Sequence, residues 1–395
     1  MLDMPAPNVV LHSLQDDTEW VLTNGTIVTA ERVFVGSVVV RNGLIVDVSD
    51  GSSAVAGSID LDGDFLIPGL VDIHTDNLEK HIEPRPGVGW PTLAALICHD
   101  RQVVTAGITT VFDSLYVAGP ENAKDKARAD ALDKAIEAML LARDDALVLA
   151  EHFLHLRCEL GSSTMLDYLA DHINNPMVHL VSVMDHTPGQ RQWHDIDKWR
   201  QFYSRKYSTE ELDVMLASRR EDQEKFAAEN RRAVMELCHN RNLPVASHDD
   251  TTVQHVEEAA SEGIFISEFP CTVDAARAAK TRGMMTVMGA PNVVKGGSHS
   301  GNVAAGTLAE LGLLDGLASD YVPISMIEGA FLLHDQHGMT LSDAIATVTL
   351  NPARMVGLED RGEIAPARRA DLVRVHPYQH MPIVRSVWRA GQRVI

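Results

Sequence analysis

Six acidic or imidazole side chains spread along the chain are of the types that bind divalent cations. His74 and Asp76 are two positions apart, so on a β-strand their side chains would project from one face and could bind one ion together. Imidazole and carboxylate ligands in combination suit Zn²⁺, Mn²⁺ or Fe²⁺. A carboxylate shared by two such ions holds them a few ångströms apart, and Glu159 is the candidate for that bridge. The predicted ligands of one or two divalent transition-metal ions are His74, Asp76, Glu159, His186, His248 and Asp320.

Asp320 is also the candidate catalytic residue. A carboxylate beside a metal can accept a proton from the attacking water, which a metal acidifies towards a pKa of about 7. Plainer alternatives exist: a lone histidine often bonds to a backbone carbonyl, Glu159 could pair with Arg157, and Asp320 could cap the following helix. Metal ligation is favoured because all six residues occupy similar places in the predicted elements.

Those places are the ends of predicted strands. Between residues 69 and 351, short apolar runs alternate with stretches of helical length, which is typical of βα units wound around a parallel sheet. The candidate strands are residues 69–74, 108–113, 149–158, 178–185, 244–248, 264–268, 285–289 and 317–320. Eight units predict an α/β fold of the (β/α)8 TIM-barrel type, in which active sites are built at the C-terminal ends of the strands. The candidate ligands lie at or just past those ends.

Both ends of the chain have a different character. From residue 20 to residue 66, short β-rich runs alternate with the turn signals Asn24-Gly25, Asn42-Gly43 and Asp62-Gly63. The last part of the chain resembles this pattern, so both ends are predicted to form one small β-sandwich domain, residues 1–68 plus 353–395. The barrel would span residues 69–352, with a charged helical insertion near 190–242 that is either a solvated hairpin or a lid.

Composition narrows the function classes. The chain has 45% hydrophobic and 23% charged residues, as in a globular protein, and a net charge of -21 that disfavours nonspecific binding to nucleic acid or to an anionic membrane. No basic leader followed by an apolar stretch and no apolar run of about 20 residues is present, so a cytoplasmic protein without membrane partners is predicted. The four cysteines contain no CxxC pair, which favours reduced thiols.

Three segments resemble a known superfamily. Residues 67–74 (IPGLVDIH), 351–358 and 362–373 are similar to the amidohydrolase superfamily of metal-dependent hydrolases. Residues 74–88, 184–190 and 288–302 more specifically resemble the diphosphatases of the carbon-phosphorus lyase pathway. Together these segments extend over nearly the whole chain.

The resemblance implies an activity. It is the hydrolysis of α-D-ribose 1-methylphosphonate 5-triphosphate to the 5-phosphate and pyrophosphate, a step in phosphonate catabolism. It also implies the two-domain form described above, and it places Asp76 where most amidohydrolases have the second histidine of the first-strand pair. Barrels of this superfamily often associate, so we allow for a homo-oligomer.

A small-molecule triphosphate as substrate requires local positive charge, because the leaving group is anionic. The candidates near the predicted strand ends are Lys80, His81, Arg85, Arg157, Arg191, Lys295 and His299. The glycine-rich loop 295–302 could present backbone N–H groups to phosphate oxygens. The alternatives are a flexible turn for this loop and surface salt bridges for Arg85 and Arg191.

Two other functions compete with this one. The same ligands support hydrolysis of cyclic amides or amines elsewhere in the superfamily, although several basic residues at the predicted rim favour the triphosphate. A noncatalytic scaffold on this fold would be expected to have lost metal ligands. Because all six candidates are present, the scaffold is the less favoured interpretation.

Overall fold

The computed structural model describes residues 19–85, 87–118, 123–204, 206–298 and 301–395. The N-terminal part forms five strands: β1 (Glu19–Val28), β2 (Val33–Arg41), β3 (Leu44–Asp50), β4 (Ile59–Asp60) and β5 (Phe65–Pro68). The next eight strands are β6 (Leu70–Thr75), β7 (Ile108–Val117), β8 (Glu151–Glu159), β9 (Val178–Met184), β10 (Val245–His248), β11 (Ile266–Glu268), β12 (Met285–Gly289) and β13 (Gly316–Ala318). The chain ends with β14 (Leu372–Tyr378), β15 (Met381–Arg389) and β16 (Gln392–Arg393).

Strands β6 to β13 form one parallel sheet in sequential order, as the eight predicted βα units require. The first and last strands meet at the C-terminal end, where the Asp76 N–H donates to the Asp320 carbonyl at 2.6 Å and the Asp320 N–H donates to the His74 carbonyl at 3.0 Å. These bonds bring the sheet close to a closed barrel. The predicted barrel is therefore confirmed, and its seam lies at three of the candidate site residues.

Helices cover the outside of the barrel. Their bounds are α1 (Asn77–Ile82), α2 (Thr92–Thr105), α3 (Ala123–Asp144), α4 (Met165–His172), α5 (Ile196–Tyr203), α6 (Thr209–His239), α7 (Val253–Ser261), α8 (Val273–Thr281), α9 (Ala290–Val294), α10 (Ala305–Glu310), α11 (Ser325–His337), α12 (Leu341–Ala346) and α13 (Leu350–Met355). Over the ranges that the structure describes, none of these helices combines the length and the apolarity needed to cross a bilayer.

The remaining strands form the small sheet, in the order β16-β15-β14-β5-β1-β2-β3, with β4 paired to β1. Both chain ends thus share one sheet, as predicted. The Asn42-Gly43 signal forms the hairpin between β2 and β3, with both residues at positive φ. The Asn24-Gly25 signal does not end a strand: β1 continues through it, and its pairing with β2 shifts register between Leu22 and Gly25. Positive φ at Asn24 therefore marks a bulge.

The charged stretch after residue 190 is helical, and it also has an apolar core of its own. A 3₁₀ turn (Arg191–Trp193) leads into α5, and α6 begins at a capping box between Ser208 and Glu211. Trp199 is fully buried, and it packs with Trp193 and Leu212. This packing fixes the 3₁₀ turn beside the mouth of the barrel.

Candidate active site

His74, at the end of β6, is 1% exposed and faces the interior of the barrel mouth. Its Nδ1 lies 2.7 Å from Oε1 of Glu268. A carboxylate only accepts hydrogen bonds, so Nδ1 carries a proton, and Nε2 is the atom that could bind either a second proton or a metal. That Nε2 is buried, has no hydrogen-bond partner among the described residues, and lies 3.6 Å from Oδ1 of Asp76. An unpartnered imidazole nitrogen beside a carboxylate fits a metal ligand.

Asp76 and Asp320 complete a group around this nitrogen. One ligand atom from each of His74, Asp76 and Asp320 lies within 4.8 Å of the other two, a spacing that one cation could span. The barrel seam brings the two aspartates together, because Asp76 follows the first strand and Asp320 follows the last. Asp320 adopts a positive φ of 54°, which is costly for a residue other than glycine.

A second group lies beside the first. His248 Nδ1 is 2.6 Å from Oε2 of Glu268, and His186 Nδ1 is 2.7 Å from Oε2 of Glu159. The two Nε2 atoms face Oδ2 of Asp249, at 3.3 Å from His248 and 3.7 Å from His186. Histidine side chains held through Nδ1 by a carboxylate, with Nε2 directed at a common point, are typical of metal centres.

The electrostatics of the site favour positive charge. Burial alone would lower the pKa of His74, but the Glu268 carboxylate outweighs it and raises this pKa to about 10. Burial, followed by the charge of Asp76, raises the pKa of Asp320 to about 7. Burial would also raise the pKa of Asp76, yet Arg157 and His74 hold it below its usual value. Carboxylates that stabilise a proton on His74 would stabilise a divalent cation at the same place.

A pocket of about 520 Å³ opens onto both groups. Its lining residues are His74, Asp76, Arg157, His186, Gln192, His248, Asp249, Phe269, Lys295, Asp320 and Tyr321. Arg157 lies deep in it and donates from Nη1 to Oδ1 of Asp76 at 2.8 Å, whereas Lys295 is exposed at its rim. Lys80 lies next to Tyr321, whose carbonyl it contacts at 2.6 Å. Two of the predicted cations, Arg157 and Lys295, therefore line the pocket, and a third, Lys80, contacts one of its lining residues.

The other predicted cations lie elsewhere. Arg191 is buried and its Nη1 donates to Asp250 and to the His248 carbonyl, so it anchors the 3₁₀ turn while the neighbouring Gln192 lines the pocket. His81 contacts Gln102 on the side of α1, and Arg85 is exposed in a turn. Neither is among the residues that line the pocket. His299 lies outside the described residues.

Glu159, the predicted bridging ligand, has both carboxylate oxygens in contact with His186. Oε1 accepts from the His186 backbone N–H at 3.0 Å, and Oε2 contacts Nδ1 as described above. Burial would raise the pKa of Glu159, but His186 holds it below its usual value. In this arrangement Glu159 orients His186 towards the pocket.

Comparison of the sequence with known proteins shows the family to which the chain belongs. A sequence model described as "Amidohydrolase family" matches residues 199–395. The alpha-D-ribose 1-methylphosphonate 5-triphosphate diphosphatase of Escherichia coli (strain K12) is 42% identical over 380 residues, which cover 95% of this chain and 100% of that protein. This chain belongs to the amidohydrolase family. The superfamily is metal-dependent, in agreement with the ligand groups of this amidohydrolase.

Solved structures resemble the amidohydrolase along nearly its whole length. N-isopropylammelide isopropylaminohydrolase from Burkholderia multivorans has a TM-score of 0.65 at 16% identity, covering 95% of this chain and 98% of that one. 5-Methylcytosine deaminase from Klebsiella pneumoniae has a TM-score of 0.64 at 16% identity, covering 96% and 97%. At these identities the likeness shows the shared fold alone.

Two acidic residues of this amidohydrolase site were missed by sequence reasoning. Glu268 is the last residue of a predicted strand, so the strand-end rule that selected the histidines would also have selected it. Asp249 directly follows His248 and could have been found in the same way. Their contacts with histidines could not be predicted, because residues on different strands come together only in the folded barrel.

Proposed function

We propose that this amidohydrolase cleaves α-D-ribose 1-methylphosphonate 5-triphosphate to the 5-phosphate and pyrophosphate. The observation that carries the proposal is the 42% identity with a diphosphatase of that name along its entire length. The pocket supports it, since its metal-ligand groups and its cations lie side by side. The residues proposed to hold the metal are the ones predicted from the sequence: His74, Asp76, Glu159, His186, His248 and Asp320. Glu159 either bridges two ions or acts by orienting His186.

A bound Zn²⁺, Mn²⁺ or Fe²⁺ would supply Lewis acidity, polarising a phosphoryl oxygen and acidifying water. Asp320 lies on the barrel seam, and one of its carboxylate oxygens is within 4.8 Å of a ring nitrogen of His74. A group bound to that ring nitrogen would therefore lie next to the Asp320 carboxylate. In the proposed reaction Asp320 accepts the proton of the water that attacks the α-phosphorus. The bond from that phosphorus to the bridging oxygen breaks, and pyrophosphate leaves.

The cations stabilise the departing charge. Arg157 is held by Asp76 at the base of the pocket, and its guanidinium is a fixed donor towards the substrate phosphates. Lys295 at the rim and Lys80 beside Tyr321 add two ammonium groups. These three side chains provide local positive charge where the triphosphate would bind, although the net charge of the whole chain is -21.

Phosphorus NMR on the metal-reconstituted enzyme tests the proposal. With the triphosphate as substrate, we expect signals of pyrophosphate and of the 5-phosphate to appear together. In ¹⁸O-labelled water, attack at the α-phosphorus places the label in the 5-phosphate, whereas label in pyrophosphate would place the attack at the β-phosphorus. An unchanged phosphorus spectrum together with turnover of a cyclic amide or amine would refute the proposal.

A further inference from the structure

A separate cavity of about 270 Å³ lies at the rim of the barrel opposite the metal-ligand groups. Leu96 of α2, Met139 of α3 and Glu151 at the start of β8 line it from the barrel, and Arg389 of β15 lines it from the small sheet. Within the described part of the chain, this cavity and the pocket at the metal-ligand groups have no lining residue in common. The proposed hydrolysis therefore makes no use of it.

One part of the cavity wall is apolar. Leu96, Met139, Val148, Phe153 and Met177 contribute to it, and the first two are almost fully buried in the packing between α2 and α3. An apolar cavity of about 150 Å³ is large enough for one benzene molecule. At about 270 Å³, this cavity can hold a ring of that size together with a small polar group.

The rest of the wall includes a guanidinium group without a partner. Arg389 is half-buried, and its side chain makes no hydrogen bond or ion pair with any residue that the structure describes. Arg143, also in the wall, is paired at 2.8 Å with its exposed neighbour Asp144. An exposed pair of this kind contributes little free energy, so a ligand could replace Asp144 at small cost. Both arginines can therefore donate to an anion in the cavity.

The other charged residues of the wall are already neutralised. Glu151 is paired with the two arginines that precede β14. His152 lies with Nδ1 at 2.7 Å from Asp113 and Nε2 at 3.2 Å from Asp100, so carboxylates occupy both of its ring nitrogens. These pairs fix the inner wall, as in a preformed binding site, and leave Arg389 as its uncompensated charge.

We propose that this cavity binds a small organic acid, with its acidic group at Arg389 and Arg143 and its apolar body against Leu96 and Met139. The planar fork of donors on arginine suits a carboxylate, a phosphonate or a phosphate. The apolar wall favours an acid with a compact hydrocarbon body over a sugar triphosphate, which is polar along its length. Because β15 belongs to the small sheet, the bound acid would contact both domains. The inference does not depend on the proposed function.

Isothermal titration calorimetry with benzoate, phenylphosphonate and neutral benzyl alcohol tests the inference. We expect both acids to bind the wild type, and benzyl alcohol to bind at least about 10-fold more weakly because it lacks the charge. Arg389→Gln should weaken binding of the acids by a similar factor. Arg277→Gln, which alters an exposed arginine on α8, and Arg157→Gln, which alters the metal pocket, should both keep it.

Diffraction at the bromine absorption edge, from wild-type crystals soaked in 4-bromophenylphosphonate, makes the test independent of variant folding. We expect the bromine between Leu96 and Met139, and the phosphonate within hydrogen-bond distance of Arg389. Failure of both acids to bind, equal affinity in the wild type and a folded Arg389→Gln, or bromine at the metal pocket alone would overturn the inference. Acid binding that is lost in Arg157→Gln and kept in Arg389→Gln would overturn it as well.

Discussion

A single carboxylate, Glu268, controls the tautomers of two histidines. Its side chain is fully buried, and each oxygen receives one Nδ1–H. Burial would raise the pKa of Glu268, but His74 and the other imidazoles around it hold the value well below the usual range. The residue therefore stays ionised and keeps both Nε2 atoms directed at the pocket.

Glu268→Gln tests this role. Glutamine has one acceptor oxygen and one amide donor, so one histidine would lose its Nδ1–H acceptor and could change tautomer. We expect zinc affinity to fall about 10–100-fold, as for other residues that orient metal ligands. Competition with a chelator measures it. Glu257→Gln, which alters an exposed glutamate paired with Arg282, is the control, and equal affinities in the two variants would contradict the prediction.

His248→Asn and Asp320→Asn test the ligand and the proton acceptor. Each removes a group at the end of a barrel strand while approximately keeping polarity and size. We expect kcat to fall at least about 100-fold at saturating metal, with circular dichroism unchanged. Asp274→Asn, which alters an exposed aspartate on α8, should keep wild-type turnover. Near-normal kcat in a folded His248→Asn or Asp320→Asn would refute the assignment of that residue.

At the scale of elements, a buried network connects the first helix after β6 to the barrel wall. Asn77, the first residue of α1, donates from Nδ2 to His99 Nδ1 at 2.9 Å, and His99 Nε2 contacts Asp113 at 2.7 Å. His152 contacts the other oxygen of Asp113 at 2.7 Å and Asp100 at 3.2 Å. These groups could be a metal site by composition, but they satisfy one another. Their evident role is to fix α1 directly behind Asp76.

The network predicts a pH dependence of stability. Burial alone would lower the pKa of His152, but Asp113 and Asp100 outweigh it and raise the pKa to about 9. Protonated His152 therefore stabilises the folded protein. This contribution to the free energy of unfolding is complete below pH about 6.5, the pKa of histidine in the unfolded chain, and it is lost as the pH rises through about 9. Its total size is on the order of 3 kcal/mol. The other charged or titratable groups in contact are His99 on Asp113 and Arg101 on Asp100.

Urea unfolding between pH 6 and 10 measures this dependence. We expect the free energy of unfolding of the wild type to decline across that range, and the decline to be smaller in His152→Asn, which lacks the titrating group. His172→Asn, at a partly exposed histidine paired with Asp133, serves as the control and should follow the wild type. A wild-type decline that persists unchanged in His152→Asn would assign it to other groups.

Some elements could be predicted from the sequence and others could not. The barrel strands were found because each is a short apolar run between turn signals, and their ends contained the histidines. The Asn24-Gly25 pair predicts a turn but forms a bulge within β1, because positive φ at Asn occurs in both structures. Arg191 was expected to face the substrate, but its buried pairing with Asp250 depends on how the 3₁₀ turn folds over β10. Such long-range contacts leave no local signal.

At the scale of the whole molecule, the small sheet and the barrel are joined at the rim opposite the site. Arg361 and Arg369, which precede β14, both contact the carboxylate of Glu151 at the start of β8. Burial would raise the pKa of Glu151, but the two arginines hold it below its usual value. We propose the domain boundaries that the sequence indicates, between residues 68 and 69 and between residues 352 and 353. The contacts of Arg361 and Arg369 with Glu151 are then a main polar contact between the two domains.

Glu151→Gln tests whether this contact serves stability alone. It leaves two largely buried guanidinium groups without their shared charge, and breaking a buried pair costs about 3–5 kcal/mol. We expect the free energy of unfolding to fall by a cost of that order, reduced by the partial exposure of Glu151, while kcat stays unchanged at temperatures where the variant is folded. In a (β/α)8 barrel the N-terminal ends of the strands support stability and the C-terminal ends carry the chemistry, so the two effects should separate.

The surface variant Glu257→Gln should change the free energy of unfolding by less than about 1 kcal/mol. A fall in kcat of folded Glu151→Gln would mean that the small sheet influences the metal site through the barrel.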